Sequence, residues 1–325
     1  MYVEAYKHLN LNYLYDLNKK YVDLESHKKA YKNLRFLISN SGIYALIGLV
    51  GSGKTTLLNK LQSDLKKDGN IIISRSLSTD KKRLKIAALF TALFYDLNTN
   101  EKDFKIPTTP EKRERELIKL FQKHNKPVVL IIDEAHDLHN QTLVSLKRLV
   151  ETVTQNGYQL SILLAGHPKL SGTLFSASME EISARVKSTI LEPNKDDNET
   201  LIKNWISIRL NNNTKLEQVI DKEAISYLAT ELLTPLQIEF YLEKAILSTY
   251  EIGESKISLD IAKDTLYSDI KSIQSNLARN GYYEDILCDL LNTTKKEIKL
   301  FFDNKLPKES SLNIRQKLES FKIRF

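Results

Sequence analysis

The chain has 325 residues, 42% of them hydrophobic, which suffices for one large core or two smaller ones. Its 48 lysines and arginines outnumber 41 aspartates and glutamates, and the net charge of +7 favours polyanionic partners, although a lysine-rich composition alone would produce the same excess. No run approaches the roughly 20 apolar residues of a membrane span, Met1–Asn10 lacks the apolar middle of a secretory signal, and the lone Cys288, in an apolar run, excludes an internal disulfide, so a cytoplasmic protein with no membrane partner is expected.

The first buried strand is expected at 43–47 (IYALI). It runs into Gly48-Leu49-Val50-Gly51-Ser52-Gly53-Lys54-Thr55, which matches G-x-x-x-x-G-K-[ST] at every fixed position. Such a loop curls its backbone N–H groups around phosphate oxygens at the start of a helix. Gly48, Gly51, Ser52, Gly53, Lys54, Thr55 and Thr56 are therefore candidate ATP-binding residues. Lys54 is placed to reach the β- and γ-phosphates, and the Thr55 hydroxyl to ligate Mg²⁺. Leu57, Leu58, Leu61 and Leu65 share one face of the helix that the motif requires.

A second strand is expected at 71–74, followed by the basic string SRSLSTDKKRLK. Arg75, Lys81, Lys82 and Arg83 form a candidate contact for DNA phosphates, with Thr79 or Asp80 capping the next helix; the alternative is a solvated charged face. The third strand, 128–132 (VVLII), is opened by Pro127 and ends in Asp133-Glu134, a Walker B arrangement. Asp133 is the expected second metal ligand, and Glu134 the group that orients and polarises the attacking water. The string Asp133-Glu134-Ala135-His136 invites a helicase reading, but no downstream Arg-rich helicase motif accompanies it. His136 reads instead as a polar residue opening the next helix. Lys147 and Arg148 on that helix are a weaker DNA candidate.

The fourth strand, 160–165, ends in Gly166-His167-Pro168, where His167 either meets the γ-phosphate or attacking water or is a turn residue without a role. Arg185 precedes the fifth strand, 187–191. Five strands alternating with helices imply an α/β fold with a parallel sheet covered on both faces. Beyond Pro193 the pattern is helical, over 197–210, 221–233, 236–250 and 258–274. The expected division is an N-terminal segment packing on the ATPase core (1–35), the αβα ATPase domain (36–195), a helical lid (196–275) and a small basic helical tail (276–325). The tail interleaves Lys295, Lys296, Lys299, Arg315 and Lys317 with Phe301 and Phe302, and either grips a partner or packs on the lid. Neither a helix-turn-helix nor a winged helix is read anywhere in the sequence, which counts against a replication initiator.

These motifs resemble the AAA+ ATPases of the ExeA/TniB/TnsC/MuB group, over about Tyr6 to Leu247. The likeness is carried by Leu14, Tyr15, His27 and Leu34, by LIGLVGSGKTTLLNKL, VVLIIDEAHDL and LLAGHPKL, and by the spacing from Arg185 to Ile208-Arg209-Leu210. The resemblance implies an AAA+ P-loop fold with an αβα core and a C-terminal α-helical lid. It implies that Lys54, Asp133 and Glu134 are catalytic, that His167 senses the γ-phosphate, and that Arg185 is a finger entering a neighbouring subunit's site. One branch of the group regulates DNA transposition. That branch implies a ring or helical filament of the protein on double-stranded DNA, a transposase and a target-selection factor as partners, and hydrolysis that drives disassembly. The alternative is an ExeA-like or other nucleotide switch acting on a protein without DNA. One departure stands out: many lids carry an Arg after a Pro, whereas Pro235 is followed by Leu236-Gln237, leaving Gln237 or Lys244 as substitutes.

Overall fold

The computed structural model describes residues 1–13, 21–76, 86–98, 106–211, 213–267, 274, 277–278, 282–303 and 305–321. Two units emerge: an α/β unit of His27–Gly48 and Lys54–Leu191, and a helical unit of Met1–Ser26, Leu49–Gly53 and Glu192–Phe325.

In the α/β unit the strands are β1 (Gly42–Gly48), β2 (Ile72–Arg75), β3 (Val128–Ile132), β4 (Leu160–Gly166) and β5 (Val186–Leu191). They fall within a residue of the expected positions because each central strand is a continuous apolar run, the signature of a strand buried on both faces. All pairings are parallel, in the order β2-β3-β4-β1-β5. The carboxyl ends of all five strands therefore share one edge, where open α/β sheets place their ligands. Helix α3 (Lys54–Asp68) packs on β1, β2 and β4 and buries Leu57, Leu58, Leu61 and Leu65. α4 (Ile86–Leu97), α5 (Pro110–His124) and α6 (Asn140–Gln155) contribute Phe94, Phe121 and Leu146 to a core shared with Ile43, Leu130 and Ile162. α7 (Pro168–Leu174) and α8 (Glu180–Ser183) lead from β4 to β5. α2 (Glu25–Leu37), which precedes β1, buries His27 and Leu34.

The helical unit contains α1 (Tyr2–His8), α9 (Lys195–Ser207), α10 (Leu216–Val219), α11 (Lys222–Glu231), α12 (Pro235–Ile252) and α13 (Leu259–Tyr267). The sequence leads one to expect 1–35 as a segment packing on the ATPase core; α1 packs on α12, and Ala5, Tyr6, Leu9 and Leu11 join Ile202, Ile206, Leu242 and Ile246 in the helical core. Arg209, from the spacing that carries the family likeness, serves this packing. Its guanidinium lies 3.6 Å from the Trp205 ring centre and donates to the Trp205 carbonyl at 2.8 Å. Burial lowers its pKa, while Tyr6, Glu239 and Glu243 oppose that shift. The described residues of the tail include α14 (Glu284–Leu291), α15 (Lys295–Phe302) and α16 (Lys308–Ser320). Cys288 is half-buried beside the tail core, and burial raises its thiol pKa. Among the described residues no helix is long and apolar enough to cross a membrane.

Candidate nucleotide site

β1 ends at Gly48, and α3 begins at Lys54, so the phosphate loop spans the carboxyl end of the sheet and a helix N-terminus. Gly51 and Gly53 have φ of 78° and 86°, which L side chains rarely adopt. At Gly51 the freedom is also steric. A Cβ there would collide with the Leu236 side chain and lie 3.2 Å from Thr234 Oγ1, both in the helical unit with the loop. The Leu236 N–H also approaches the Gly51 carbonyl at 3.4 Å. Ser52 is buried, whereas Thr55 and Thr56 are exposed on α3.

Lys54 is buried, and its Nζ donates to the Gly48 carbonyl at 2.9 Å. Burial lowers its pKa, and the carboxylates of Glu134 and Asp133 act against that shift. The Thr55 hydroxyl donates to Asp133 Oδ2 at 2.8 Å, so the first residues of α3 meet the residue that follows β3. The other Asp133 oxygen, Oδ1, accepts from the Glu134 N–H at 2.9 Å. Glu134 has left-handed backbone, φ 56° and ψ 38°, a conformation uncommon for a residue with a side chain.

β4 lies between β1 and β3, so the residue beyond its end falls between the end of β1 and the acidic pair. That residue is His167. It caps α7 with its side chain, Nδ1 accepting from the Lys169 N–H at 3.2 Å. With Nδ1 used as an acceptor, the proton of the neutral ring resides on Nε2. Burial, with smaller effects of His136, Lys54 and Lys169, pushes the His167 pKa down to about 3. The ring is thus a neutral N–H donor at physiological pH.

His136 does not open a long helix. It sits in the single 3₁₀ turn Ala135–Asp137, its ring tilted by 40° against His167 with centroids 3.5 Å apart. Its Nδ1 lies 3.3 Å from Glu134 Oε2. Burial lowers its pKa despite Asp137 and Glu134. Gly166 permits this approach, because a Cβ there would stand 3.3 Å from the His136 backbone nitrogen and 3.0 Å from Leu170 Cδ2.

Arg75 belongs to the same neighbourhood. At the end of β2 its Nη1 donates to Asn59 Oδ1 at 2.8 Å, and Nη2 lies 3.8 Å from Asp133 Oδ2. Lys81, Lys82 and Arg83, the other residues of the basic string, lie outside the described residues. Lys147 is buried and paired with Glu151 and Glu181 at 3.5 and 3.2 Å, which withdraws it as a DNA contact. Arg185 stands in the turn before β5, its Nη1 donating to the Glu181 carbonyl at 2.8 Å and its Nε 3.4 Å from Glu151. Gln237 is engaged at the start of α12, where its Oε1 accepts from the Leu233 N–H at 2.8 Å.

The structure thus brings Lys54, Thr55, Asp133, Glu134 and His167 together through α3, β3 and β4. The positions of His136 and Arg75 were missed. A signal existed for His136 in its two-residue spacing from Glu134, but its meaning depends on β4 pairing with β3. The residues present fit a nucleoside triphosphate: glycines with positive φ ahead of a helix, a buried ammonium, and a hydroxyl beside a carboxylate.

Known proteins agree with this geometry. The family model described as AAA domain matches residues 37–174. No curated protein matches the chain. Among solved structures, Cdc6p from Pyrobaculum aerophilum is similar with a TM-score of 0.55 and 15% identity, over 95% of this chain and 84% of that one. The Aeropyrum pernix ORC2 protein, in ADPNP-ADP complexes, has a TM-score of 0.52 and 14% identity, over 94% and 88%. Drosophila ORC bound to DNA has a TM-score of 0.53 and 12% identity, over 100% and 80%. The fold is therefore the α/β fold of the AAA+ P-loop ATPases, and the AAA domain at residues 37–174, with Asp133 bonded to Thr55 and both acidic residues acting on Lys54, makes this an ATPase site.

Proposed function

We propose that the protein is an ATP-dependent DNA-binding regulator of DNA transposition, which assembles on duplex target DNA and recruits or activates a transposase. The observation that carries the ATP-driven part is the convergence of Thr55, Asp133 and Glu134 beside the buried Lys54. Thr55 Oγ1 and Asp133 are two hard oxygen ligands 2.8 Å apart, the kind of pair that holds Mg²⁺. Bound ATP with Mg²⁺ supplies the phosphoryl group and the charge that makes it electrophilic. Lys54 neutralises phosphate charge, Glu134 orients the attacking water and accepts its proton, and the Nε2–H of His167 donates to charge that develops between them.

The DNA part is supported by the net charge of +7 and by similarity to structures that include Drosophila ORC bound to DNA. The transposition part is supported by the motif likeness to the TniB/TnsC/MuB branch. Arg185 is half-exposed on a turn, with side-chain partners on its own α6 and α8 segments. As a finger for the next subunit it would make ATP the adhesive of a heterologous contact, which generates rings or helical filaments. Electron microscopy of the protein with duplex DNA, with and without a non-hydrolysable ATP analogue, tests this reading. Rings or filaments that require both DNA and nucleotide support it. Bare DNA in both samples, with ATPase activity intact, overturns it in favour of a switch that acts on a protein.

A further inference from the structure

The tail has a core of its own. Leu277, Leu287, Leu291, Ile298, Phe301, Ile314 and Leu318 pack together, apart from the larger helical cluster. α14 and α15 contribute eight residues each and are joined by only three, Asn292, Thr293 and Thr294. Every part of that turn is specified. Asn292 adopts left-handed backbone, φ 50° and ψ 57°, which ends α14 and turns the chain away. Thr294 opens α15 with a reciprocal cap: its hydroxyl accepts from the Glu297 N–H at 3.3 Å, and the Glu297 carboxylate accepts from the Thr294 N–H at 3.0 Å. From α16, Lys317 Nζ donates to the Leu291 carbonyl at 2.9 Å and closes the end of α14.

Two short helices across a tight, capped turn, braced by a third helix over one core, have the element order of a helix-turn-helix, whose second helix enters the major groove. The second helix here has the necessary two faces. Ile298 and Phe301 are buried. Lys295, Lys296 and Lys299 are exposed, at 65% and 64% for the first and last. The one acid on α15, Glu297, is held by the cap and by the Thr293 hydroxyl, which together lower its pKa. Lys295 pairs with Asp285, and Lys299 lies 3.9 Å from Glu284, both on α14; exposed pairs of this kind are weak and readily exchanged for phosphate oxygens.

We infer that α14 and α15 form a helix-turn-helix and that the Lys295, Lys296 and Lys299 face of α15 binds the major groove of duplex DNA. The inference rests on the DNA half of the proposed function and is independent of any role in transposition. It places a duplex contact in the tail, on residues that the basic string after β2 does not include.

The test is fluorescence anisotropy of a labelled duplex titrated with the full-length protein over a series of salt concentrations, without nucleotide and with a non-hydrolysable ATP analogue. Replacing Lys296→Ala and Lys299→Ala together is expected to weaken binding about ten-fold and to flatten the slope of log K against log[salt] by about two. The pair Lys296→Arg and Lys299→Arg keeps the charge and is expected to keep both quantities near wild type. DNA-free ATP hydrolysis is expected to be unchanged in both variants, which shows that the fold is intact. Wild-type binding that the alanine pair leaves unaltered, in affinity and slope, overturns the tail assignment alone. A wild-type protein that binds no duplex in either nucleotide state overturns this inference together with the DNA half of the proposed function.

Discussion

At the residue scale the site separates binding from hydrolysis. Glu134 Oε2 lies 3.3 Å from His136 Nδ1, and neither group is part of the glycine loop. Glu134→Gln keeps the loop, Lys54 and Asp133, so ATP affinity is expected to stay near wild type while turnover falls about a hundred-fold or more. A nucleotide-binding titration beside a phosphate-release assay reads both quantities, and turnover at the wild-type rate would remove Glu134 from its role. His167 carries a pH dependence of stability. Its folded pKa is near 3, whereas an unfolded imidazole titrates near 6.5. Between those values the unfolded chain binds the additional proton, so stability is lost as pH falls through that window and is unaffected above it. His136, also shifted down by burial, adds to the same slope. His167→Gln is expected to reduce the drop in melting temperature between neutral pH and about pH 5. An undiminished drop would mean that other groups carry it.

At the scale of elements, the start of α12 closes on the phosphate loop at Gly51. Gly51→Ala places a side chain in left-handed backbone, a strain of about 1–2 kcal/mol, and drives it into Leu236. A lower melting temperature and a weaker ATP affinity are expected together, measured by thermal unfolding with and without ATP. Loss of neither would show that α12 yields freely. The elements themselves were legible in the sequence where one local rule decides. VVLII and LSILLA read as buried strands by length and by the turn residues around them, and the glycine motif dictates a loop between strand and helix. What stayed hidden depends on order across the sheet. Arg75 reads as one charge in a basic string until Arg75 pairs in register with Ile131, which sets it beside Asp133. The ring contact of His136 with His167 requires β4 to land next to β3. The tail turn was obscured for another reason, since its lysines draw the eye while its information lies in the spacing of Leu287, Leu291, Ile298 and Phe301 around Asn292.

At the scale of the whole molecule, the N-terminus shows how far sequence neighbourhood can mislead. α1 precedes the ATPase segment but buries Tyr6 among residues some 200 positions later, with the Tyr6 and Trp205 rings 6.4 Å apart. Periodicity reports that a helix has an apolar face and is silent on which distant face will cover it. Assembly is the other property of this scale. Arg185→Ala removes a side chain that touches Glu151 and the Glu181 carbonyl. Monomeric ATP binding is therefore expected to survive while ATP-dependent oligomers are lost, as read by light scattering or sedimentation. Normal oligomers from this variant would move the subunit contact elsewhere.

The left-handed backbone at Glu134 also implies a trade between durability and activity at a single position. Conformations of this kind cost about 1–3 kcal/mol and persist only where the surroundings enforce them. Glycine would relax that cost and abolish the carboxylate in the same step. Among proteins carrying Gly, Gln or Glu at position 134, the glycine form is therefore expected to withstand heat at least as well as the glutamine form while being no better an ATPase. If so, selection has retained a less robust molecule for the sake of one acid group, and a screen for thermal hardiness alone would drift toward inactive proteins at this position.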